Sequence, residues 1–325
     1  MWHSLTRLLL SASSTISRYN VDPMDVGRLE VGTETLVDKS KSTKTVLMDL
    51  FHGNHDIEGA TVVNACYGGT AALLNAFAWV ESDGWDGRFA IVVAADIAAY
   101  ARGPARPTCG AGAVAILVGR DAPLSFNPRE RATHSDNTWD FYKPDHTVEY
   151  PTVDGALSQS CYYKALEDVY ERFIQRMERS RGGETRFNAE TPDYWVFHAP
   201  YNKLVQKSYG RLFFLDERRA LQLDAEEKAS EQLGPWLTKP LEETHSDTRL
   251  DKILKDVSAS AFDRRMKDAN AASKMTGNTY TASVFFGLAS LVDRAGRRGE
   301  LSQGKTIGLF SYGSGAVATM YCLSV

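Results

Sequence analysis

Three short apolar runs in the chain have the pattern of buried β-strands. They are Phe89–Ala95, Ala113–Val118 and Thr306–Phe310, and each is flanked by glycine, aspartate or serine. A short, continuous apolar run between such residues is typical of a strand that is covered on both faces. A fourth and shorter run, Tyr194–Phe197, fits the same description.

Helical patterns lie between these strands. Ala71–Val80, Ser160–Arg176 and Ser283–Arg294 carry helix-forming residues, and the long middle segment is amphipathic. A further helix is expected to begin just after Pro200. Strands that alternate with helices predict an α/β layered fold.

Two polar stretches interrupt the pattern. Arg179–Pro192 is polar and contains glycine, which predicts a surface connection. Leu215–Thr248 is highly charged and mostly helical in composition, so we interpret it as a solvated face.

The first eighteen residues, MWHSLTRLLLSASSTISR, are apolar with arginine and serine, and no acidic residue precedes Asp22. This composition fits an organellar transit peptide or an ordinary amphipathic helix. We favour the amphipathic helix.

The composition excludes several classes of protein. Apolar residues make up 43% and charged residues 24% of the chain, and the net charge is −4, which is a globular profile without an electrostatic basis for binding nucleic acid or an anionic membrane. No apolar run approaches the ~20 residues of a membrane span. The 4 cysteines form no C-x-x-C pair. We therefore expect no metal site and no disulfide framework, and an intracellular, reducing setting.

One cysteine stands at a junction that suits a nucleophile. In TVVNACYGGTAALL, the β-favouring run Thr61–Val63 precedes Cys66, and Gly68, Gly69 and helix-forming residues follow it. The first turn of a helix stabilises a thiolate, so this position is expected to lower the pKa of the Cys66 thiol. The alternative is a buried structural cysteine, which the residues alone leave equally open.

Acids and a histidine elsewhere in the chain could assist such a nucleophile. Glu30 and Glu34 lie in a segment with glycine and threonine, where either is a solvated acid or a general base. His198 ends a strand-like run, and Lys203 and Lys207 follow one helical turn apart. Two lysines on one helix face beside a histidine could hold a phosphorylated ligand.

Two more stretches carry groups that suit hydrogen bonding. Gly313, Ser314 and Gly315 follow a strand, where their amides either stabilise an oxyanion or form a plain hairpin turn. Asn278 precedes a helix, either as its N-cap or as a substrate-binding amide.

Taken together, these stretches resemble the hydroxymethylglutaryl-CoA synthase family of eukaryotic type. The resemblance covers about residues 19–325, and the matching segments occur in the family's order: GRLEVGTETLVDKSKS, DIEGATVVNACYGGTAALLN, ESDGWDGRFAIVVAADIAAYARGPARPT, DFYKPD, EYPTVDGALS, FHAPYNKLVQKS, GNTYTASV and FSYGSG. The resemblance implies a thiolase-like α/β fold of two similar halves packed as α-β-α-β-α layers, here residues 1–160 and 161–325.

The resemblance also implies the chemistry. Cys66 matches the cysteine that takes the acetyl group of acetyl-CoA, Glu34 matches the general acid/base, and His198 matches the histidine that binds and polarises acetoacetyl-CoA. The product would be 3-hydroxy-3-methylglutaryl-CoA, in the mevalonate pathway to isoprenoids and sterols. No cofactor is expected beyond these two substrates.

Further positions match the family's substrate pocket. The implied substrate-binding residues are Tyr67, Asp96, Tyr100, Thr108, Ser158, Lys203, Asn278 and Ser314. Lys203 would contact CoA, and Asp140 would lie behind the general base. The resemblance further implies a homodimer in the cytoplasm, with mitochondria as the alternative compartment.

The chain departs from the family at its ends. The first strand–helix units and the final segments of the family have no counterpart, and SASSTI (11–16) resembles an insertion. We therefore expect a truncated chain of reduced stability.

Two alternatives to this function stay open. One is a catalytically impaired fragment that acts only in binding or dimerisation, and the other is a condensing enzyme similar to type III ketoacyl synthases. Glu34 disfavours the second alternative, because those enzymes use no glutamate base.

Overall fold

The computed structural model describes residues 2–183, 186–223 and 232–325 of the chain. Residues 184–185 of the predicted surface connection and residues 224–231 of the predicted charged stretch lie outside this description.

The chain divides into two compact units. Unit 1 comprises Met1–Ser125, Lys143–Pro151 and Ser273–Phe286, and unit 2 comprises Phe126–Tyr142, Thr152–Ala272 and Gly287–Val325. The family-type division at residue 160 stays a prediction.

The described residues form strands and helices in alternation. The strands β1–β10, in chain order, are Val26–Gly32, Thr61–Val62, Phe89–Ala98, Gly110–Val118, Ser125–Ser135, Phe141–Tyr142, Thr152–Val153, Tyr194–Phe197, Thr306–Gly313 and Val317–Ser324. The helices α1–α9 are Trp2–Arg18, Thr43–Leu47, Gly68–Val80, Gly155–Ser180, Asn202–Gln222, Gly234–Leu237, Thr248–Arg265, Lys267–Thr276 and Ser283–Arg297. Short 3₁₀ turns lie at Pro23–Asp25, Met48–Leu50, Arg106–Thr108, Glu242–Thr244 and Tyr280–Ala282.

Unit 1 is built on a four-stranded sheet with the order β2-β1-β3-β4. β1 pairs in parallel with β2 and β3, and β4 is antiparallel to β3. Val93 of β3 belongs to the core cluster that includes Leu8 of α1, while Val92 packs in the cluster of Leu73 of α3. Because helices cover both faces of β3, the strand reads as the continuous apolar run seen in the sequence.

The N-terminal helix α1 is part of the core of unit 1. Leu8 and Ala12 are fully buried, whereas Leu10 is 65% exposed. This alternation is that of an amphipathic helix with one face on the sheet. The structure therefore confirms the favoured interpretation of this segment as an amphipathic helix.

Unit 2 contains a second four-stranded sheet, with the order β5-β10-β9-β8. β8 is parallel to β9, and β9 forms an antiparallel hairpin with β10. Aromatic side chains of α4 fill the core: Tyr162 meets Phe310 edge-on at a centroid distance of 5.3 Å, and Phe173 meets Trp195 at 6.4 Å.

A buried ionic cluster connects α4 and α5 in unit 2. Arg211 Nε donates to Glu167 Oε1 at 2.5 Å, and the Nε2 atom of His245 lies 3.0 Å from Glu167 Oε2. Arg211 also donates to the hydroxyl of Thr244 at 2.5 Å. Every charged group in the cluster thus has a partner, as buried charges require.

Among the described helices, none combines the length and apolar character needed to cross a membrane.

Candidate active site

The candidate site of unit 1 lies where parallel strands end. Glu34 follows β1 by two residues, Cys66 lies between β2 and α3, and Asp96 is near the end of β3. The carboxyl ends of adjacent parallel strands lie at one edge of a sheet, which is where α/β folds place their binding sites. The topology therefore brings together three residues that are far apart in the sequence.

Asp96 fixes the backbone that carries Glu34. Its Oδ1 atom accepts hydrogen bonds from the amides of Glu34 and Thr35, each at 2.9 Å, and from the hydroxyls of Thr33 at 2.9 Å and Thr35 at 2.8 Å. Its Oδ2 atom accepts from the amide of Thr281 at 3.0 Å and from the Thr281 hydroxyl. Because Asp96 is only 1% exposed and is occupied by these donors, the contacts favour a positioning role over substrate contact.

Cys66 faces the carboxyl group of Glu34. Its thiol donates to Glu34 Oε1 over 3.8 Å, at the limit for a sulfur hydrogen bond. The preceding residue, Ala65, has a φ of 43°, in the left-handed region, so the chain turns sharply before the cysteine. The structure confirms the predicted position of Cys66 between a strand and a helix.

Close backbone packing holds α3 against β1 behind this pair. A Cβ atom on Gly32 would lie 2.5 Å from the Gly69 backbone, and one on Gly69 would lie 2.4 Å from the Thr281 carbonyl oxygen. Only glycine allows an approach this close.

Burial changes the proton affinity of both groups. Burial, with a smaller contribution from the charge of Asp96, raises the pKa of Glu34 to about 8. Burial also raises the pKa of the Cys66 thiol well above its ordinary value, and the charges of Glu34 and Asp96 add to the effect. The sequence-based expectation that the start of a helix lowers the pKa of Cys66 is therefore wrong. Desolvation and two nearby acids outweigh the helix terminus.

The structure also distinguishes between the two candidate acids. Glu30 is fully buried on β1, where its Oε1 atom lies 2.7 Å from an Arg28 guanidinium nitrogen and its Oε2 atom accepts from Asn75 at 3.3 Å. An acid paired in this way serves the fold. Glu34, which faces the cysteine, fits the role of base.

Asn278 connects other predicted substrate residues of unit 1. Its Nδ2 atom donates to the Tyr100 hydroxyl at 3.3 Å, and its backbone amide donates to the Thr108 carbonyl oxygen at 2.9 Å. Its Oδ1 atom accepts from the amide of Tyr280 at 2.9 Å. The N-cap of the following turn is Thr279 rather than Asn278, although the Asn278 side chain binds the first amide of that turn and also reaches Tyr100. Tyr67, the residue after Cys66, is 6% exposed.

Lys143, within the DFYKPD segment, was not among the candidate residues drawn from the sequence. Its ammonium lies 5.2 Å from the centroid of the Tyr280 ring and 4.0 Å from Glu149 Oε2. Its positive charge lowers the pKa of both Glu34 and Cys66, against the larger effect of burial. A basic residue in the DFYKPD motif was the only signal in the sequence for this position. Its place beside Tyr280 depends on contacts between distant parts of the chain, which the sequence alone does not give.

In unit 2, His198 follows β8 and is 1% exposed. Its amide donates to the Phe310 carbonyl oxygen at 2.8 Å, and its own carbonyl oxygen accepts from the Tyr162 hydroxyl at 2.8 Å. Burial lowers the pKa of the imidazole to about 3. His198 is therefore neutral near pH 7, with one ring nitrogen as donor and the other as acceptor.

The helix after Pro200 forms as predicted, but its two lysines differ. Lys207 Nζ pairs with Asp251 Oδ2 at 2.7 Å, whereas Lys203 is exposed. Lys203 is thus the better placed of the two lysines for a phosphorylated ligand.

Ser158 lies in the first turn of α4, where its amide donates to the Asp154 carbonyl oxygen at 2.9 Å.

The Gly-Ser-Gly stretch forms the turn of the β9–β10 hairpin, as the simpler of its two interpretations predicts. The amide of Gly315 donates to Asp140 Oδ1 at 3.0 Å, so it is occupied within the protein. Asp140, which is fully buried, also accepts from the Tyr312 hydroxyl at 3.5 Å. Ser314, at the tip of this turn, is partly exposed.

Among residues 2–183, 186–223 and 232–325, no group of three potential metal ligands occurs.

Two sequence models of one family together match almost the whole chain. The model described as hydroxymethylglutaryl-coenzyme A synthase N terminal matches residues 3–123, and the corresponding C terminal model matches residues 124–325.

Curated relatives show the same likeness. The chain is 46% identical over 325 residues to hydroxymethylglutaryl-CoA synthase A of Dictyostelium discoideum, with 98% of this chain and 64% of that relative covered. It is 48% identical over 305 residues to the mitochondrial hydroxymethylglutaryl-CoA synthase of Sus scrofa, with 92% of this chain and 59% of that relative covered. The chain thus spans about three-fifths of the length of these relatives.

A solved structure, MvaS in complex with 3-hydroxy-3-methylglutaryl coenzyme A, is similar with a TM-score of 0.85 and 30% sequence identity. The likeness covers 99% of this chain and 72% of that chain, and it confirms the predicted thiolase-like α/β fold class. With both family models matched from residue 3 to residue 325, the chain belongs to the hydroxymethylglutaryl-CoA synthase family.

Proposed function

We propose that this chain is an acyltransferase that condenses acetyl-CoA with acetoacetyl-CoA and water to form 3-hydroxy-3-methylglutaryl-CoA and CoA. The observation that carries the proposal is the approach of the Cys66 thiol to the Glu34 carboxyl group at the ends of β1 and β2. A thiol nucleophile beside a partly buried carboxyl group is what an acyl transfer followed by proton removal from carbon requires.

In the first step, Cys66 Sγ attacks the thioester carbonyl of acetyl-CoA. The thiol proton passes to the sulfur of the departing CoA, which leaves as its thiol, so Glu34 takes up no proton in this step. The product is an acetyl thioester on Cys66. The thioester favours the next step, because it makes the hydrogens of the neighbouring methyl group more acidic.

In the second step, the Glu34 carboxylate removes a proton from that methyl group, and the resulting carbanion attacks C3 of acetoacetyl-CoA. Glu34 then returns the proton to the new alkoxide oxygen. A positioned acid/base of this kind contributes ~10²–10⁴-fold to the rate. Water finally hydrolyses the Cys66 thioester and releases the product.

His198 would bind acetoacetyl-CoA, as the family resemblance implies. A neutral imidazole offers an N–H donor to a carbonyl oxygen of this substrate. Tyr100, Thr108, Asn278, Tyr67, Ser158 and Ser314 remain proposed substrate residues, and Lys203 is the proposed contact for CoA phosphates.

The test uses acetyl-CoA labelled in the acetyl group. We expect label on the Cys66 peptide, release of that label only after acetoacetyl-CoA is added, and labelled 3-hydroxy-3-methylglutaryl-CoA as product. Cys66→Ala should abolish labelling, while the control Cys109→Ala, at an exposed cysteine, should retain it. Absence of label on the wild-type chain would favour the impaired-fragment alternative. A condensed product without acetoacetyl-CoA would favour the ketoacyl-synthase alternative.

We also propose a homodimer in the cytoplasm, with mitochondria as the alternative compartment. Sedimentation equilibrium would return twice the chain mass for a dimer, and a fluorescent fusion at the C-terminus would locate the protein in cells. A chain mass at micromolar concentration would exclude the stable dimer.

A further inference from the structure

The ammonium of Lys143 is buried without a hydrogen bond. Among the described residues its Nζ atom finds no hydrogen-bond partner, and the side chain is 18% exposed. Its nearest charge is Glu149 Oε2 at 4.0 Å, and its other close neighbour is the face of Tyr280. A lysine normally keeps its ammonium in water or gives it close acceptors, so this placement costs free energy of folding that calls for an explanation.

The contacts of Tyr280 and its neighbour Thr281 connect this ammonium to the acid–thiol pair. Tyr280 precedes Thr281, which binds the Asp96 carboxylate, and the same carboxylate holds the amide of Glu34. The Tyr280 ring also meets the Tyr100 ring edge-on at a centroid distance of 6.1 Å. A series of contacts within unit 1, from Lys143 to the Tyr280 ring and from Thr281 to Asp96, therefore connects the cation to the segment that carries the base.

The other charges near the pair are mostly negative. Asp96 and Glu149 raise the pKa of Glu34, whereas Lys143 opposes them. Asp96 and Glu34 raise the pKa of Cys66, and Lys143 again opposes them. The remaining titratable groups that interact with the pair, Tyr100 and Tyr280, are phenols whose pKa values burial raises, so they stay neutral.

We propose that Lys143 is a positioning residue for proton transfer at the Glu34–Cys66 pair, and that its ammonium favours the singly negative state of the pair through which the thiol reacts. In that state one proton is shared between sulfur and carboxyl: it lies on the sulfur with Glu34 as carboxylate, or on the carboxyl with Cys66 as thiolate. The ammonium stabilises either arrangement, because it acts on the total charge. This inference rests on the proposed function in one respect only, namely that the Cys66 thiolate is the nucleophile that attacks acetyl-CoA.

The test measures alkylation of Cys66 by iodoacetamide as a function of pH, with the Cys66 peptide quantified by mass spectrometry. An opposite charge nearby shifts a pKa by about 1–3 units, so Lys143→Gln should move the midpoint of the profile upward by about 1 unit or more and slow alkylation about tenfold below it. Lys143→Arg keeps the charge and should keep the profile. Lys255→Gln, at an exposed lysine of α7, is the matched control.

Glu149→Gln gives a second measurement of opposite sign. Glu149 is exposed, so its replacement should leave the fold intact, and removing its negative charge should move the midpoint downward. The exposed Cys109 provides an internal reference whose alkylation profile should be the same in all variants.

An unchanged Cys66 profile in folded Lys143→Gln would overturn the inference. If that variant does not fold, an unshifted profile in Glu149→Gln, or loss of the profile in Lys143→Arg, would overturn it instead. Since alkylation requires no CoA substrate, a wild-type chain that fails to take label from acetyl-CoA yet shows these shifts would contradict the proposed function alone.

Discussion

At the scale of single residues, the site depends on a carboxyl group that is largely desolvated, that of Glu34. Ordinary glutamates are ionised at neutral pH, but burial and Asp96 raise the pKa of Glu34 to about 8. A base with a pKa near the working pH both exists in its ionised form and binds a proton strongly enough to take one from carbon. The environment thus gives Glu34 the proton affinity that its proposed role as a base for carbon acids needs.

The pH dependence of condensation follows from this value. Glu34 acts as a base only when ionised, so the rate at which acetyl-Cys66 is consumed by acetoacetyl-CoA should rise about tenfold per unit below pH 8 and level off above it. Rapid-quench measurements between pH 6 and 9 would follow this step. A flat profile, or one that falls with pH, would contradict the assignment of Glu34 as the base.

The same burial predicts a cost in stability. An acid whose pKa is higher in the folded protein than in the unfolded chain stabilises the fold least when it is ionised, so its penalty appears as pH rises from about 4.5 towards 8. Glu34→Gln should therefore raise the free energy of unfolding at pH 7.5 by about 1–2 kcal/mol, with little gain at pH 4.5. Urea unfolding at both pH values measures this. Glu58→Gln, at a carboxylate that is 65% exposed, is the control and should change stability by about 0.5 kcal/mol or less. A Gln variant less stable than wild type at pH 7.5 would contradict the argument.

His198 provides a contrasting residue, because burial lowers its pKa to about 3. It should not titrate between pH 5 and 8. His198→Ala should raise the KM for acetoacetyl-CoA about tenfold or more, leave acetylation of Cys66 largely intact, and leave the shape of the pH profile unchanged in that range. His55→Ala, at an exposed histidine, is the control. An unchanged KM for acetoacetyl-CoA would remove His198 from the substrate site.

At the scale of elements, the apolar patterns located the buried strands better than the exposed ones. Tyr194–Phe197 is β8 as predicted, and the runs that begin at Phe89 and Thr306 are β3 and β9, each extended by three residues. β5, Ser125–Ser135, has no apolar run to identify it, because most of its side chains are exposed or partly exposed. The start of α9 at Ser283 was predicted correctly, but α3 begins at Gly68 rather than Ala71 and α4 at Gly155 rather than Ser160. The earlier start of α4 follows from its N-cap Asp154, whose side chain accepts from the amide of Leu157.

Helix α1 offers a direct test of packing. Leu8 is fully buried against the sheet of unit 1, whereas Leu10, on the opposite face of the helix, is 65% exposed. Leu8→Ala should lower the free energy of unfolding by about 2–5 kcal/mol through lost burial and the cavity left behind. Leu10→Ala should change it by about 0.5 kcal/mol or less. Equal effects in urea titrations would show that α1 does not pack as described.

At the scale of the whole molecule, family motifs and residue physics supplied different parts of the account. The motifs identified the family and the thiolase-like fold, and local patterns indicated an α/β chain. The motifs also selected Glu34 over Glu30, a choice that the residues alone left open. The folded structure supplies its physical reason, namely the ion pair of Glu30 with Arg28 and the strand order that brings Cys66 to Glu34. The position of Lys143 and the direction of the Cys66 pKa shift were beyond the sequence, because burial and long-range charges determine them.

The central claim is that Cys66 carries the acetyl group and Glu34 activates it. The most direct measurement is mass spectrometry of the Cys66 peptide from Glu34→Gln and wild-type protein, first with acetyl-CoA alone and then after addition of acetoacetyl-CoA. The account predicts that both proteins accumulate acetyl-Cys66, and that wild type loses it to 3-hydroxy-3-methylglutaryl-CoA about 10²-fold or more faster than the variant. Consumption of acetyl-Cys66 by Glu34→Gln at the wild-type rate would contradict it.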